Sequence, residues 1–180
     1  MKSESILGRT IQRRRERQGG AVVVEQAFTL VPLLSFIFAT MDIAMAVTMQ
    51  NTVQFASRQG VRYAITSQLR SGMNHDESVK FIVVANSMGM MPYLMPTTGG
   101  PPTPSTNPYD YITIRYYDPS TLAEVTGTGS NRGGNICRIT ITGLRYSWMG
   151  PLTRGTTALN MSAASSDVME ASPNGVPPTR

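Results

Sequence analysis

A long apolar segment near the start of the chain constrains the fold more than any other feature of the sequence. Residues 21–49 contain two acidic residues, Glu25 and Asp42, and no basic residue. As a helix this segment would be about 43 Å long at 1.5 Å per residue, which is enough to cross the ~30 Å hydrocarbon core of a bilayer. Pro32 falls inside it, and membrane helices tolerate proline better than soluble helices do. The sequence therefore predicts one transmembrane helix over residues 21–49.

The residues before this segment form a basic leader. Residues 1–20 hold six basic and two acidic side chains, so four of the five net positive charges of the chain lie there. Basic residues next to a membrane helix accumulate on the cytoplasmic side, which places the leader in the cytoplasm. The leader is expected to be disordered, and Gly19 and Gly20 are expected to separate it from the helix that follows. The rest of the chain is almost neutral, and nucleic acid is not expected as a partner.

The helix is expected to continue beyond the membrane as part of a helical region over residues 50–91. Apolar or small residues recur there at spacings of three and four, on a helix otherwise lined by polar residues. They are Ala46, Met49, Val53, Ala56, Gly60 and Tyr63. Gly60 would cost this helix about 1 kcal/mol relative to alanine. We expect the helix to end near residues 70–72.

A second helix is predicted from a local signal. Asn74 and Glu77 have the spacing of a capping box, in which each side chain accepts a hydrogen bond from the other residue's backbone. The helix would run to about Met90 with Val79, Ile82 and Val83 inward. His75, Asp76 and Glu77 are read as part of this helix start rather than as a metal or catalytic cluster.

The C-terminal third changes from helical to strand periodicity. Residues 92–109 contain six prolines and two glycines and are expected to form a linker. Alternating apolar residues in the β domain, residues 110–170, then predict three half-buried strands. Their inward residues are Ile112, Ile114 and Tyr116, then Cys137, Ile139 and Ile141, then Leu159, Met161 and Ala163. The predicted fold class is α+β, a long N-terminal helix packed on a small antiparallel sheet, with a flexible, disordered tail over residues 171–180.

Several chemistries find little support in the composition. The chain has one cysteine, Cys137, so an intrachain disulfide cannot form. It has one histidine, His75, so a zinc site would also need several carboxylates, and the sequence shows no suitable cluster of them. The glycine-rich stretch 127–134 lacks the spacing of a phosphate-binding loop and is read as a strand connection. We therefore expect no metal, no other cofactor and no catalytic residue.

Residues 21–49 leave other interpretations open. They could be an uncleaved signal anchor in which Glu25 merely lies at the interface. They could also be a secretory signal peptide cut after Ala46, although both acidic residues would then lie within the signal. A twin-arginine signal at residues 13–15 would lack the apolar residues that should follow directly.

The junction around residue 20 resembles that of type IV prepilins, in which a basic leader ending in glycine precedes an apolar helix with glutamate at its fifth position. In that family a membrane peptidase cuts after the glycine, and the new amino terminus pairs with the glutamate of a neighbouring subunit. The resemblance implies that cleavage falls between Gly20 and Ala21 and that Glu25 pairs with the new terminus. Gln26 departs from the family pattern, which has an aromatic residue there.

The resemblance extends along the helix to about residue 65. Val24-Glu25, the apolar run, Met41-Asp42-Ile43 and the stretch 56–64 (ASRQGVRYA) are similar to the TadE-like pseudopilins of tight-adherence (Flp/Tad) pili. Those proteins have an acidic residue at the far membrane edge, which here is Asp42. They then have a helical motif, which here includes Arg58, Arg62 and Tyr63. From the residues alone, Asp42 could reach water or contact a neighbouring helix, and the solvated arrangement is favoured.

This resemblance implies a function without catalysis. The chain would be a minor pilin or pseudopilin that takes part in assembling a Flp/Tad pilus. Its partners would be a prepilin peptidase, other pilin subunits with their assembly machinery, and membrane lipid, with no small-molecule substrate. It would cross the bacterial inner membrane once, with the C-terminal domain periplasmic or extracellular. The alternative is a membrane-tethered periplasmic binding or structural module with an uncleaved anchor.

Overall fold

The structure is a computed structural model that describes residues 4–94, 107–150 and 158–180, with side chains from residue 20 onward except that of Tyr93. The chain divides into two compact units. One comprises residues 1–43 and 149–154, and the other residues 44–148 and 155–180.

One helix, α1, runs from Glu4 to Ile65. It passes through Gly19 and Gly20 without interruption. The prediction of a disordered leader that ends at these two glycines is therefore wrong. Residues 4–18 contain no proline and many residues with good helix propensity, and two glycines cost only about 1 kcal/mol each. The helix ends before the predicted residues 70–72 because Ser67 has a φ of 53°, and its N–H donates to the Ala64 carbonyl over 3.0 Å.

The membrane part of α1 exposes apolar side chains around its surface. Among the described residues, Gly20–Ile65 contains a window long and apolar enough to cross a membrane, and only 11% of that window is buried within the protein. A core helix of a soluble protein would be mostly buried, so this surface fits a membrane-anchored protein. Its large exposed apolar residues up to Ile43 are Val22, Val23, Val24, Phe28, Leu30, Val31, Leu33, Leu34, Phe36, Ile37, Phe38, Met41 and Ile43.

The second helix, α2, spans His75–Ala85 and starts with the predicted capping box. The Asn74 side chain accepts from the Glu77 N–H over 2.8 Å, and the Glu77 carboxylate accepts from the Asn74 N–H over 3.2 Å. The helix stops before the predicted Met90, since Asn86 caps it and Met88 has a φ of 53°. A one-turn helix, α3, follows at Met91–Leu94. Most of the predicted linker, residues 95–106, lies outside the described residues.

An antiparallel sheet of four strands forms the other layer. The strands are β1 (Ile112–Tyr117), β2 (Glu124–Val125), β3 (Ile136–Tyr146) and β4 (Leu159–Val168), in the order β2-β1-β3-β4. The three predicted strands and the α+β fold class are confirmed. The short β2 was not predicted, and Leu159 at the start of β4, predicted to face inward, is exposed.

The inward stripe of α1 packs on this sheet. Ala46, Val53, Ala56 and Gly60 are buried, and Met49 and Tyr63 are half-buried, as the spacing predicted. The carboxamide of Gln50 donates to the Ser162 carbonyl on β4 over 2.7 Å, which adds a polar contact at the edge of the packed layer.

Gly60 lies where α1, α2 and β3 come into close contact. A Cβ atom at this position would overlap Cγ2 of Val83 on α2 and would lie 3.1 Å from Cδ1 of Ile139 on β3. Val83 and Ile139 are both fully buried. The glycine that lowers helix propensity is therefore the residue that lets the three elements pack together.

We predict that Gly60→Ala lowers the free energy of unfolding by about 1 kcal/mol. Overpacking a core costs about 1–3 kcal/mol, and the higher helix propensity of alanine offsets about 1 kcal/mol of that. Urea unfolding of the full chain in detergent micelles, followed by Trp148 fluorescence, measures the change. Val83→Ala removes the overlapping methyl group, so Gly60→Ala should cost less in a Val83→Ala background. Strict additivity of the two changes would contradict this account of Gly60.

Candidate functional site

The junction between Gly20 and Ala21 lies on an exposed turn of α1. Both residues are exposed, and no atom outside the local helix lies within 4 Å of where a Cβ on Gly20 would be. The peptide bond between them is part of the continuous helix. Among the side chains that the structure describes, none shields this bond, but its helical hydrogen bonds would have to open before it could enter a peptidase cleft.

Glu25 lies one helical turn after Ala21 and is exposed. Residues four apart on a helix are neighbours on one face, so the carboxylate and the Ala21 backbone share that face. Among the described side chains, no cation lies within ion-pair distance of Glu25. Its carbonyl accepts a hydrogen bond from the Thr29 hydroxyl over 3.1 Å. A carboxylate on an apolar helix surface is costly unless a cation or donor compensates it.

Asp42 is held by the backbone of its own chain. Its carboxylate accepts from the Met149 N–H over 3.1 Å and from the Gly150 N–H over 2.8 Å. The residue is only 4% exposed. The favoured expectation of a solvated Asp42 is therefore wrong. The donors lie more than 100 residues further along the chain, so helical spacing could not have indicated them.

The motif at residues 56–64 divides between the two faces of α1. Its small residues Ala56, Gly60 and Ala64 face the core, and Tyr63 is half-buried. Arg58 and Arg62 are exposed. In the described part of the chain, neither guanidinium has an ion-pair partner.

The exposed side of the motif includes an aromatic ring. Phe55 is 45% exposed and lies three residues before Arg58 and seven before Arg62, so the three residues share a face. This outer face, defined by Phe55, Arg58 and Arg62, combines apolar surface with two positive charges. The family resemblance indicated the two arginines and gave no sign of Phe55, although its spacing of three and seven residues from them places it on the same face.

A polar cluster at the start of α2 joins distant parts of the sequence. Tyr116 on β1 donates its hydroxyl hydrogen to Asp76 over 3.1 Å, and its oxygen lies 3.3 Å from Nδ1 of His75. Arg180 donates to Asp76 from Nε over 3.0 Å and from Nη2 over 2.8 Å. Its guanidinium also lies over the Tyr116 ring, 4.6 Å from the centroid, and donates to the Ser130 hydroxyl. The cluster joins the start of α2 to β1, to the loop before β3 and to Arg180.

The cluster shifts the pKa values of its members. Burial alone would raise the pKa of Asp76, but contacts with His75, Arg180 and Tyr116 outweigh it and lower the pKa to about 2. Arg180 makes the shortest of these contacts, whereas Nδ1 of His75 is 3.8 Å from the carboxylate, so we assign most of the lowering to Arg180. Burial raises the pKa of Tyr116 and raises that of the adjacent Cys137 to about 12. The thiol is therefore not ionised near neutral pH.

The last residues of the sequence differ from the expected loose tail. The His75 N–H donates to the Thr179 carbonyl over 2.8 Å, and the Asn131 carboxamide donates to the Pro178 carbonyl over 2.9 Å. Together with the Arg180 contacts, these bonds hold residues 178–180 against the start of α2 and the loop before β3. The composition of this segment, rich in proline and glycine, did not indicate which residues it would contact.

None of these arrangements is a metal site. Within the residues whose side chains are described, no three His, Cys, Asp or Glu side chains lie together in a way that could hold a metal ion. The described side chains of α1 can instead make contacts with other molecules. They offer an exposed apolar surface, the Glu25 carboxylate and an outer face with two arginines.

We predict that Asp76 contributes stability that is lost in acid. The folded pKa of about 2 is lower than the usual 3.8, so the contribution is complete above pH 4 and disappears as the pH falls towards 2. The shift corresponds to about 2 kcal/mol, and solvent screening at a partly exposed carboxylate leaves about 1 kcal/mol. Asp76→Asn should therefore destabilise the domain at pH 7 and much less at pH 2.5, measured by urea unfolding.

Glu124→Gln is the matched control for Asp76→Asn. Glu124 forms an ion pair of 3.3 Å with Arg115 in which both side chains are well exposed. Such pairs contribute little, so this change should have almost no effect at either pH. An Asp76→Asn effect that is equal at pH 2.5 and pH 7 would contradict the assignment.

Comparison with known proteins gives one family match. Residues 20–62 match the family model described as TadE-like protein. This range begins at the leader junction, contains Glu25 and Asp42, and ends on Arg62 of the outer face. No curated protein and no solved structure matches the chain. The match confirms the resemblance seen in the sequence: over residues 20–62, the N-terminal helix is similar to TadE-like proteins.

Proposed function

We propose that this protein is a minor pilin or pseudopilin that takes part in assembling a tight-adherence pilus. The observation that carries the proposal is the TadE-like match over residues 20–62, which associates the chain with Tad pilus systems. The matched helix has the exposed apolar surface of a membrane anchor and continues without a break into the packed domain. The protein would cross the bacterial inner membrane once, with the basic leader in the cytoplasm and the sheet outside.

Cleavage between Gly20 and Ala21 is the first step of this proposal. The junction is exposed, and the consecutive glycines 19 and 20 lower the cost of opening the helix locally, by about 1 kcal/mol each relative to alanine. A prepilin peptidase would need such an opening because proteases bind extended backbone. The chain itself supplies no catalytic group for this step and acts as the substrate.

Glu25 is the proposed partner of a new amino terminus. In the described part of the chain its carboxylate has no cation, and a neighbouring subunit cleaved at the same position would supply one. Pairing would offset the cost of placing a carboxylate on an apolar helix. Helix association in membranes is driven by packing and polar contacts of this kind.

The outer face is the proposed contact with a subunit of another type. Residues 44–65 of α1 contain no acidic residue. A second copy of the helix, parallel and in register, would bring Arg58 and Arg62 against the same arginines, and like charges repel. A partner helix with carboxylates at this level fits better. Arg58 is 16 residues beyond Asp42, or about 24 Å along the helix, which puts it beyond the reach of lipid headgroups if Asp42 lies at the membrane edge. Tyr63, the residue after Arg62, is half-buried and packs against the core.

The mature N-terminus tests the processing step. After co-expression with a prepilin peptidase, mass spectrometry should find a chain that begins at Ala21. The peptidase-free culture is the control and should retain Met1. A chain that still begins at Met1 with the peptidase present would indicate an uncleaved anchor. One that begins at Val47 would indicate a secretory signal, and either result would sink the proposed cleavage.

Assembly tests Glu25 and the outer face together. In cells with the pilus system, Glu25→Ala should leave the Ala21 terminus intact but reduce recovery of the chain in cross-linked complexes with other pilin subunits. Arg58→Glu combined with Arg62→Glu should reduce recovery as well, because it reverses the charge of the outer face. Lys80→Glu, a charge reversal outside that face, is the control and should assemble normally. Normal recovery of the Glu25→Ala variant would contradict the pairing role of Glu25. Normal recovery of the double-arginine variant would contradict the contact through the outer face.

A further inference from the structure

The clamp formed by Asp42 with the backbone of residues 149 and 150 has a consequence for where that loop lies. Ala21–Met41 is 21 residues, or about 31 Å of helix at 1.5 Å per residue. This equals the ~30 Å hydrocarbon core of a bilayer, so Asp42 falls at its far edge. Since the Met149 and Gly150 N–H groups bond to this carboxylate, residues 149 and 150 are held at the level of residue 42.

The side chains at this level are apolar and exposed. Met149 is 62% exposed, and the helix residues on either side of Asp42, Met41 and Ile43, are 64% and 58% exposed. Met149 belongs to the same compact unit as these helix residues. Whatever surrounds the helix at Met41 and Ile43 therefore also reaches Met149.

The polar groups of the clamp also suit an interface. A carboxylate in water needs no backbone donors, whereas one at the edge of hydrocarbon must be compensated. The two N–H groups would likewise be costly there without acceptors. Asp42 and the loop therefore satisfy one another, which lets irregular backbone lie against the membrane.

We propose that the segment Met149–Gly150 is a second membrane contact, in which Met149 enters the boundary between lipid headgroups and acyl chains and Asp42 fixes its depth. The partner is phospholipid, because the backbone bonds to Asp42 hold the exposed Met149 at the level of the exposed helix residues Met41 and Ile43. The contact depends on the membrane helix and does not depend on cleavage at Gly20 or on incorporation into a pilus.

Site-directed spin labelling of the full chain tests this proposal. Met149→Cys keeps the clamp, which uses backbone N–H groups, and the native Cys137 is fully buried and should stay unlabelled. The labelled chain is reconstituted in vesicles of phosphatidylcholine and phosphatidylglycerol. Collision rates with oxygen and with a water-soluble nickel chelate then give the depth. We expect a label at 149 to lie within about 5–10 Å below the headgroup level.

Met88→Cys is the matched control. Met88 is a methionine that is 74% exposed and follows α2, and its label should collide freely with the nickel chelate. Equal nickel accessibility at 149 and 88 would overturn the proposal. So would a label at 149 that is shielded from both nickel and oxygen, since that result indicates cover by protein rather than lipid.

A change at Asp42 tests the clamp separately. Asp42→Asn replaces one acceptor oxygen with a donor, so one of the two backbone bonds is lost. In this background the label at 149 should move towards water, with a rise in nickel accessibility, while circular dichroism shows the helix and sheet intact. If folding is unchanged and the label keeps its depth, Asp42 is not what holds the loop at the membrane.

Discussion

The close approach at Gly60 is the contact on which the arrangement of the extramembrane domain depends. At this point α1, α2 and β3 meet without room for a Cβ atom, and Val83 and Ile139 are both fully buried around it. Interiors packed to this density tolerate little change in volume. The face of α1 that points to the core is thereby fixed, and the opposite face, with Phe55 and the two arginines, stays exposed.

The end of α1 ties this packing to the last part of the chain. The last carbonyls of a helix lack partners within it. Here Nε2 of the buried His75 lies 3.3 Å from the Ala64 carbonyl, and the Glu170 N–H donates to the Ile65 carbonyl over 3.0 Å. The start of α2 and the segment after β4 therefore both provide partners for the last carbonyls of α1. His75 in turn contacts Tyr116, so the end of one helix, the start of the next and the sheet share one polar cluster.

The features that the sequence predicted correctly are those set by neighbours within a turn or a strand. The inward stripe of α1, the capping box at Asn74 and the alternation in three strands all follow from spacings of two to four residues. The stop at Ile65 was missed because it depends on the backbone of Ser67, which composition does not reveal. The two residues of β2 are too few to show alternation.

The parts of the candidate site that the sequence did not predict involve partners far along the chain. Asp42 was identified as unusual, yet its donors at residues 149 and 150 are backbone groups with no side-chain signature. Arg180 lies in a segment whose proline and glycine content suggested disorder, and only the folded chain brings it to Asp76. Gly60 was read as a cost to the helix, since its benefit depends on Val83 of another element.

The continuity of α1 through Gly20 has a consequence for what a cut there would leave behind. Cleavage would make Ala21 the first residue of an already formed helix, so a positive amine would lie at the positive end of the helix dipole. That terminus is electrostatically unfavourable until an anion approaches it. Glu25 lies one turn further on the same face. Each cut helix would therefore present an amine and a carboxylate on a single face, so one helix surface would carry both halves of the proposed contact between subunits.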